Sequence, residues 1–485
     1  MKCLFVTSEA YPLIKTGGLA DVSGSLPHAL EQQGEDVRIL LPGYRSVLDK
    51  VDEARVIAHS RHYGQDIRIL ETRLPGTRVP VMLVDCPSAF DRPGNPYLDD
   101  NGQPWPDNAF RFALFCQVAV DIALNRLAFD WPVDLVHCHD WQSALTPALL
   151  SLFEQRPATL FTIHNLAYQG LFDSQQYFDL GLPMTLWHMH GLEYHGLFSF
   201  IKGGLVYADA VSTVSPQYAI EIQSDEFGYG LSGLLRYRSN RLYGILNGID
   251  TNEWDPASDS QLVQTYSART LDDKRVNKLA LQRQFGLRED ASIPMIGMIS
   301  RLVEQKGLEI ILQAMPQLLQ LPVQLVFLGS GEAHYEQALR QLAVSHPDSV
   351  AVWIGYDEQL SHRIEAAADG YLMPSMFEPC GLNQLYSLRY GTIPLVTAVG
   401  GLADSVIDYA LEDATGFVVS EFTAGALVAA VNRMLYVYNK TEDWQRLQLR
   451  AMRQDHSWGQ SASAYLELYR STVDFRSGIQ PQAGA

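Results

Sequence analysis

Two doubly wound α/β domains are the fold class this sequence predicts, on three observations. Short apolar runs without clean polar alternation recur along the chain, as strands covered on both faces do. Helix-length segments separate them, the alternation expected of a parallel sheet. The chain has 485 residues, 47% hydrophobic and 19% charged, too long for one module at ~100–200 residues per domain.

In the first half the strand-length runs are residues 4–7, 37–41, 79–84, 135–138, 160–163, 211–214 and 243–246. Helical stretches occupy 21–33, 108–129 and 141–154. A second set follows residue 290, with strands at 295–299, 323–328, 350–354, 370–373, 393–396 and 417–419 and helices at 307–319 and 334–345. Between the sets, turn chemistry at Asn247-Gly248-Ile249-Asp250 and a polar, pattern-poor stretch to about residue 273 place a hinge near residue 250. The predicted organisation is one domain over 1–250, a second over 251–458, and a C-terminal helical stretch with a tail over 459–485.

Composition excludes several function classes. With 36 Lys+Arg against 55 Asp+Glu the formal charge is −19, which repels nucleic-acid backbones and anionic lipid, so neither nucleic acid nor membrane is an expected partner. Five cysteines, Cys3, Cys86, Cys116, Cys138 and Cys380, are odd in number and scattered, and are read as reduced thiols of a cytoplasmic protein. The first apolar run is cut off by Glu9 and lacks the h-region of a secretory signal. Nowhere do ~18 apolar residues follow one another without charge, so no transmembrane helix is expected.

Four loops carry chemistry. Gly17-Gly18-Leu19-Ala20-Asp21 recurs as Gly400-Gly401-Leu402-Ala403-Asp404, each copy after a strand and at a helix start, where backbone N–H groups can meet an anion. Lys15 adds a cation to the first copy and suits a sugar-nucleotide diphosphate. The loop is neither a Walker loop nor Gly-x-Gly-x-x-Gly, so ATPase and dinucleotide oxidoreductase readings lose support. Arg301 and Lys306 flank a turn at the carboxyl end of the first strand of the second set, where open α/β sheets bind ligands, and both can point at one leaving phosphate. Glu378 stands ahead of a helix start and can accept sugar hydroxyls while the following N–H groups take phosphate. Each has a plainer reading as turn material, a solvated ion pair or a helix-dipole contact.

In order along the chain, Lys15-Thr16-Gly17-Gly18-Leu19, Thr162-Ile163-His164-Asn165, Asn247-Gly248-Ile249-Asp250, Arg301 with Lys306-Gly307, Glu378-Pro379-Cys380-Gly381-Leu382 and Ser457-Trp458 resemble the motif series of bacterial glycogen synthases and plant starch synthases. These are the retaining glucosyltransferases of glycosyltransferase family 5. The resemblance runs from Lys2 to about Tyr469. It implies the GT-B fold, two Rossmann-like domains facing a central cleft, with the C-terminal helix crossing back to the first. It also implies transfer of glucose from ADP-glucose to the non-reducing end of glycogen or another α-1,4-glucan, with no cofactor.

By the same resemblance, His164, Glu378, Arg301 and Lys306 form the catalytic group. Lys15 contacts the donor, with Gly17 and Gly18 near its diphosphate. Arg301 and Lys306 neutralise the departing ADP, Glu378 holds a glucose hydroxyl, and Gly381 with Leu382 offers N–H groups to phosphate. Cys380 packs beside the sugar, Asn247 contacts glucose, Tyr356 packs on adenine, and His164 lies beside the anomeric carbon. Asp21 joins the donor side, while Tyr97, Asp140 and Asn165 belong to the acceptor side of the cleft.

The chain departs from the family pattern where Asn383 stands for the usual Thr and Ala398-Val399 for the usual Arg-Thr, which removes a cation and two hydroxyls. An active enzyme is still expected, because backbone N–H groups do much of the phosphate binding in such loops. No Asp-x-Asp accompanies the site, so no metal is expected. His137-Cys138-His139 and the group His188, His190 and His195 have metal-ligand side chains but are not read as a metal site, since alternate strand residues face opposite ways and no Cys-x-x-Cys or His-Glu-x-x-His accompanies them. Trp105 and Trp141 are the first candidates for sugar stacking. Three rivals stay open: the same fold acting on UDP-glucose or another acceptor, nucleotide-sugar epimerisation, and a non-catalytic glucan-binding protein.

Overall fold

Lys2–Val6, buried along its length after the first residue, forms β1 at the middle of the larger of two main sheets in the computed structural model. The structure describes all residues except 52, 100, 128 and 479–485. It divides into two units: unit 1 is residues 1–248 with the C-terminal segment that starts at Trp458, and unit 2 is Ile249–Ser457.

Unit 1 contains β1, β2 (Asp36–Pro42), β3 (Arg55–His62), β4 (Gln65–Arg73), β5 (Pro80–Asp85), β6 (Leu135–His139), β7 (Ala158–Ile163), β8 (Leu171–Asp173), β9 (Glu193–Tyr194), β10 (Leu197–Ser199), β11 (Ala210–Thr213) and β12 (Leu242–Gly244). The main sheet runs β12-β11-β7-β6-β1-β2-β5-β4-β3. It is parallel except for β4, which pairs antiparallel with both β5 and β3. The order turns back between β1 and β6, a switch point at which ligands meet the carboxyl ends of the strands. Strands β8, β10 and β9 form a small antiparallel sheet.

Unit 2 is built the same way from β13 (Met295–Ile299), β14 (Gln324–Gly329), β15 (Val350–Ile354), β16 (Gly370–Met373), β17 (Ile393–Thr397) and β18 (Phe417–Val419), in the order β15-β14-β13-β16-β17-β18 and wholly parallel. Its switch point lies between β13 and β16. Helices α1 (Gly18–Gln32), α2 (Leu308–Leu318) and α3 (Asn383–Tyr390) follow the switch-point strands β1, β13 and β16. The last helix, α4 (Trp458–Arg476), packs within unit 1: Ser461 donates to the Leu246 carbonyl (2.7 Å), and the Tyr469 hydroxyl lies 2.6 Å from His137 Nδ1.

Several elements differ from the expectation. The β3–β4 hairpin and the small sheet were not anticipated, because their residues are not continuous apolar runs. The hairpin turns at Tyr63 (φ 51°) and Gly64 (φ 74°), two left-handed residues as a tight primed turn requires. The helix expected over 108–129 ends at Ala123. That expected over 141–154 is two short pieces, Asp140–Ser143 and Leu145–Leu150. Pro147 has no N–H for the Ser143 carbonyl, so the two turns cannot be joined by that bond. Among the described residues no helix is long and apolar enough to cross a membrane.

Candidate functional site

In unit 1 the chain leaves β1 through Thr7-Ser8-Glu9 and enters the loop that starts α1. Glu9 is buried, and its carboxylate organises this loop. It accepts from the Thr16 N–H (2.5 Å), the Thr16 hydroxyl (2.5 Å), the Gly17 N–H (3.2 Å) and the Tyr97 hydroxyl (2.6 Å). The Gly17 N–H is therefore taken by Glu9, where the sequence reading offered it to an anion. A Cβ placed at Gly17 or Gly18 meets nothing within 4 Å, so these glycines answer no packing need in the chain and leave open space beside the loop. Lys15 pairs with Asp21 (2.7 Å) at the surface. Tyr97 also bonds Ser8 (2.8 Å), and burial raises its pKa well above the usual value.

The carboxyl end of β6 adds Asp140, in the left-handed region at φ 54°. Its Oδ1 accepts the His164 N–H (2.7 Å). Burial pushes the Asp140 carboxyl up to about 7, Glu9 adds to the rise, and main-chain bonds from His164 and Asn165 oppose it. Burial pushes the His164 imidazole down to about 3, so the ring is neutral at ordinary pH. His164 Nε2 lies 3.0 Å from His139 Nδ1, while His139 Nε2 is buried with no hydrogen-bond partner among the described residues. Asn165 Oδ1 accepts the Ala167 N–H (3.0 Å). Asn247 is buried, and its Oδ1 has no hydrogen-bond partner among the described residues.

The site in unit 2 sits at the carboxyl ends of β13 and β16. Glu378 is buried, and one carboxylate oxygen takes both the Lys306 ammonium and the Ser375 hydroxyl (3.1 Å). Gly307 has φ 76°, and a Cβ there would come within 2.1 Å of the Pro374 carbonyl, so only glycine lets the Lys306 turn lie this close to the Glu378 loop. Gln305 staples the two loops through Phe377 O and Met376 N–H, both at 2.8 Å. Arg301 is exposed, with its guanidinium 3.4 Å from Gln305 Oε1. Arg301, Lys306, Ser375, Glu378, Gly381, Leu382 and Asn383 all line one cavity of about 180 Å³.

Tyr356 and Cys380 are not in that cavity wall. Tyr356 is 75% exposed and bonds Glu358. Cys380 is buried, and its carbonyl accepts from Gln384 (3.0 Å). The second Gly-Gly loop also differs from the expectation. The Gly401 N–H is given to the carbonyls of Glu378 (3.1 Å) and Pro379 (3.2 Å). A Cβ at Gly400 or Gly401 would come within 2.0 Å of the Glu378 or Cys380 carbonyl oxygen. This loop carries the Glu378 loop on its back and does not present the Gly401 N–H to a ligand. Asn383 turns its amide to the Ile299 carbonyl (2.7 Å) and the Tyr371 hydroxyl (2.6 Å). Ala398 is exposed and Val399 half-buried.

The sequence reading missed Glu9, Ser375, Gln305 and Tyr371 as organisers of these sites. Only Glu9 carried a signal, a carboxylate interrupting an apolar run at the carboxyl end of a strand. Trp141 is core, edge-on to Phe112 at 5.0 Å, and Trp105 lies under Arg92 at 4.8 Å. His137 is held between Tyr469 and Thr162. Among the described residues Glu253, Glu358 and His362 are a group with metal-ligand side chains. His362 is already bonded to Asp259 (2.7 Å) and stacked on Trp254 (3.8 Å), so packing accounts for it. Chemically, unit 2 offers two cations and a hydroxyl-accepting carboxylate around one cavity, and unit 1 offers a carboxyl that titrates near neutrality beside a neutral imidazole.

The family described as starch synthase catalytic domain matches residues 2–237, and the glycosyl transferases group 1 family matches residues 282–447. The glycogen synthase of Cellvibrio japonicus (strain Ueda107) is 56% identical over 472 residues, covering 96% of this chain and 98% of that protein. Glycogen synthase 1 of Methylococcus capsulatus is 52% identical over 478 residues, covering 98% and 97%. Among solved structures, the catalytic domain of starch synthase IV from Arabidopsis thaliana, bound to ADP and acarbose, is 34% identical with a TM-score of 0.87, covering 97% of this chain and 99% of that one. A sucrose-phosphate synthase from Thermosynechococcus elongatus, 18% identical with a TM-score of 0.60, shares the fold.

Proposed function

The chain belongs to the glycogen and starch synthase family of GT-B glycosyltransferases, and from that membership we propose that it uses ADP-glucose to extend an α-1,4-glucan at its non-reducing end, releasing ADP. As a glycogen synthase it is a hexosyltransferase that takes a nucleotide-sugar donor and a glucan acceptor. The observation that carries the donor reading is the convergence of Arg301, Lys306 and Glu378 on one cavity at the β13–β16 switch point.

Retaining transfer passes through an oxocarbenium-like state in which negative charge grows on the leaving diphosphate. Arg301 and Lys306 supply the opposing charge, so this reading needs no divalent ion. Glu378 takes a glucose hydroxyl and orients the ring. The acceptor hydroxyl attacks the anomeric carbon on the face the phosphate leaves: the bond from carbon to phosphate oxygen breaks, the new glycosidic bond forms, and the hydroxyl proton passes to the departing phosphate. The buried, neutral His164 is not asked to act as the titrating base. In unit 1, Asp140 and Tyr97 serve the acceptor, and the Glu9-organised loop carries Lys15, Gly17 and Gly18 for the donor. The compartment that fits five buried cysteines, with no disulfide among the described residues, is the cytoplasm.

The test compares initial rates of transfer to glycogen from ADP-glucose and from UDP-glucose, with and without chelator. ADP-glucose is expected to lead in kcat/KM by about tenfold or more, equivalent to about 1.4 kcal/mol of transition-state binding, with no loss in chelator. Preference for UDP-glucose would overturn the donor assignment, and a rate abolished by chelator would overturn the metal-free charge stabilisation by Arg301 and Lys306.

A further inference from the structure

Past Gly297 the two central strands of unit 2 separate. On one side β13 stays in register with β14 through Ile299, and main-chain bonds continue from Ser300 N–H to the Leu328 carbonyl (3.0 Å) and from Leu302 N–H to the Ser330 carbonyl (2.8 Å). On the other side, pairing with β16 consists of Ile296 with Gly370 and Gly297 with Tyr371. The cavity that holds Arg301, Lys306 and Glu378 is also walled by Ile299 and Tyr371, where this pairing has stopped.

Two side chains stand in for the missing strand. Ile299 N–H donates to the Tyr371 hydroxyl oxygen (3.0 Å), and the Tyr371 O–H donates to the Ile299 carbonyl (2.8 Å). Asn383 Nδ2 donates to that carbonyl (2.7 Å) and to the Tyr371 oxygen (2.6 Å). The count closes: one phenolic hydrogen, two amide hydrogens and one main-chain hydrogen meet two lone pairs on each oxygen. The Ile299 carbonyl has no hydrogen to give, so it fixes the amide with Nδ2 towards the strand. Burial holds the Tyr371 phenol well above its usual pKa, which keeps its hydrogen in place.

We propose that Asn383 is a positioning residue for donor binding: with Tyr371 it completes the hydrogen bonding at the open end of β13 and so holds the segment that delivers Arg301 to the donor. This rests on the reading of the cavity as the nucleotide-sugar site. The amide is well suited because it carries two hydrogens. A threonine hydroxyl has one and can serve only one of the two oxygens, while an aspartate of the same shape has none and sets a carboxylate against the Ile299 carbonyl.

The test uses the full-length Asn383→Ala, Asn383→Asp and Tyr371→Phe variants, with two readouts. Hydrogen exchange should speed up by about tenfold over residues 295–303, the cost of an opened buried hydrogen bond, with β14 and β17 still protected. The KM for ADP-glucose and the inhibition constant of ADP should rise by about tenfold while the KM for glycogen stays within about twofold. Asn383→Asp should be no better than Asn383→Ala despite its closer shape. An Asn383→Asp variant equal to wild type in donor kinetics would overturn the proposal. So would exchange that accelerates throughout unit 2 with donor and glycogen constants worsening together, the mark of a purely structural residue. If the wild type releases no ADP from ADP-glucose, the reading of the cavity fails. The exchange data then decide the hydrogen-bond network alone: local acceleration supports it and unchanged rates reject it.

Discussion

At the scale of single residues, burial decides which groups can exchange protons. Asp140 and His164 are joined by one hydrogen bond, yet desolvation moves both towards their neutral forms, the acid up to about 7 and the imidazole down to about 3. If turnover needs the Asp140 carboxylate, the rate climbs as pH rises through about 7, and Asp140→Asn flattens that limb. Stability responds with the opposite sign. Between the usual carboxylate range and pH 7 the folded chain keeps a proton the unfolded chain has lost, so this group's contribution to stability falls as pH rises through that window. Asp140→Asn, which can still accept the His164 N–H, is therefore expected to gain about 2 °C or more in Tm over wild type between pH 5 and pH 8. Melting curves at the two values check this, and a Tm difference independent of pH would refute it. Arg301, Lys306 and Glu378 were legible in the sequence because charge type and a place after a buried strand are local properties. Glu9 carried only the signal of a carboxylate interrupting an apolar run; that it joins the Lys15 loop to Tyr97 was not legible, since Tyr97 lies far along the chain.

At the scale of elements, one short sequence does two jobs. Gly17-Gly18 and Gly400-Gly401 are followed by the same three residues, but the first pair borders open space and the second is pressed against the carbonyls of Glu378 and Cys380. Sequence identity could not separate these roles, because the distinction lies in what another loop brings near. The two predict opposite tolerance. Gly401→Ala forces the Glu378 loop to move and should cost about 1–3 kcal/mol in denaturant unfolding, together with about tenfold or more in donor kcat/KM. Gly18→Ala should leave stability within about 0.5 kcal/mol, the usual range for a surface change. Equal effects at the two positions would contradict the packing account. The continuous apolar strands were legible for a similar reason: a strand buried on both faces needs no partner to reveal it. In the β3–β4 hairpin the apolar residues 56–58 and 67–70 form runs that are short or broken by Arg68, so a search for continuous apolar runs passed over it.

At the scale of the whole molecule, a chain with a formal charge of −19 must bind a donor that carries about two negative charges. Global charge opposes this. In the proposed reading a local set in unit 2 answers it: Arg301 and Lys306 stand at a switch point, with Gln305 stapling the Lys306 turn to the Glu378 loop and Tyr371 and Asn383 bonded to Ile299 at the end of β13. Unit 1 is completed by α4, which returns after unit 2 and bonds His137 through Tyr469. The sequence showed two doubly wound sheets, but it could not show that a buried histidine of β6 and a tyrosine of the last helix would meet. In the proposed mechanism Lys306 stabilises the ADP leaving group during transfer to a glucan. The most direct measurement is ADP release from ADP-glucose, with and without glycogen, for wild type and Lys306→Ala. Release should require glycogen, and Lys306→Ala should lower it by about 10²-fold or more, the size of effect seen when one charge-stabilising donor is removed from a transition state. Glycogen-independent release by the wild type, or an undiminished rate in Lys306→Ala, would contradict the account.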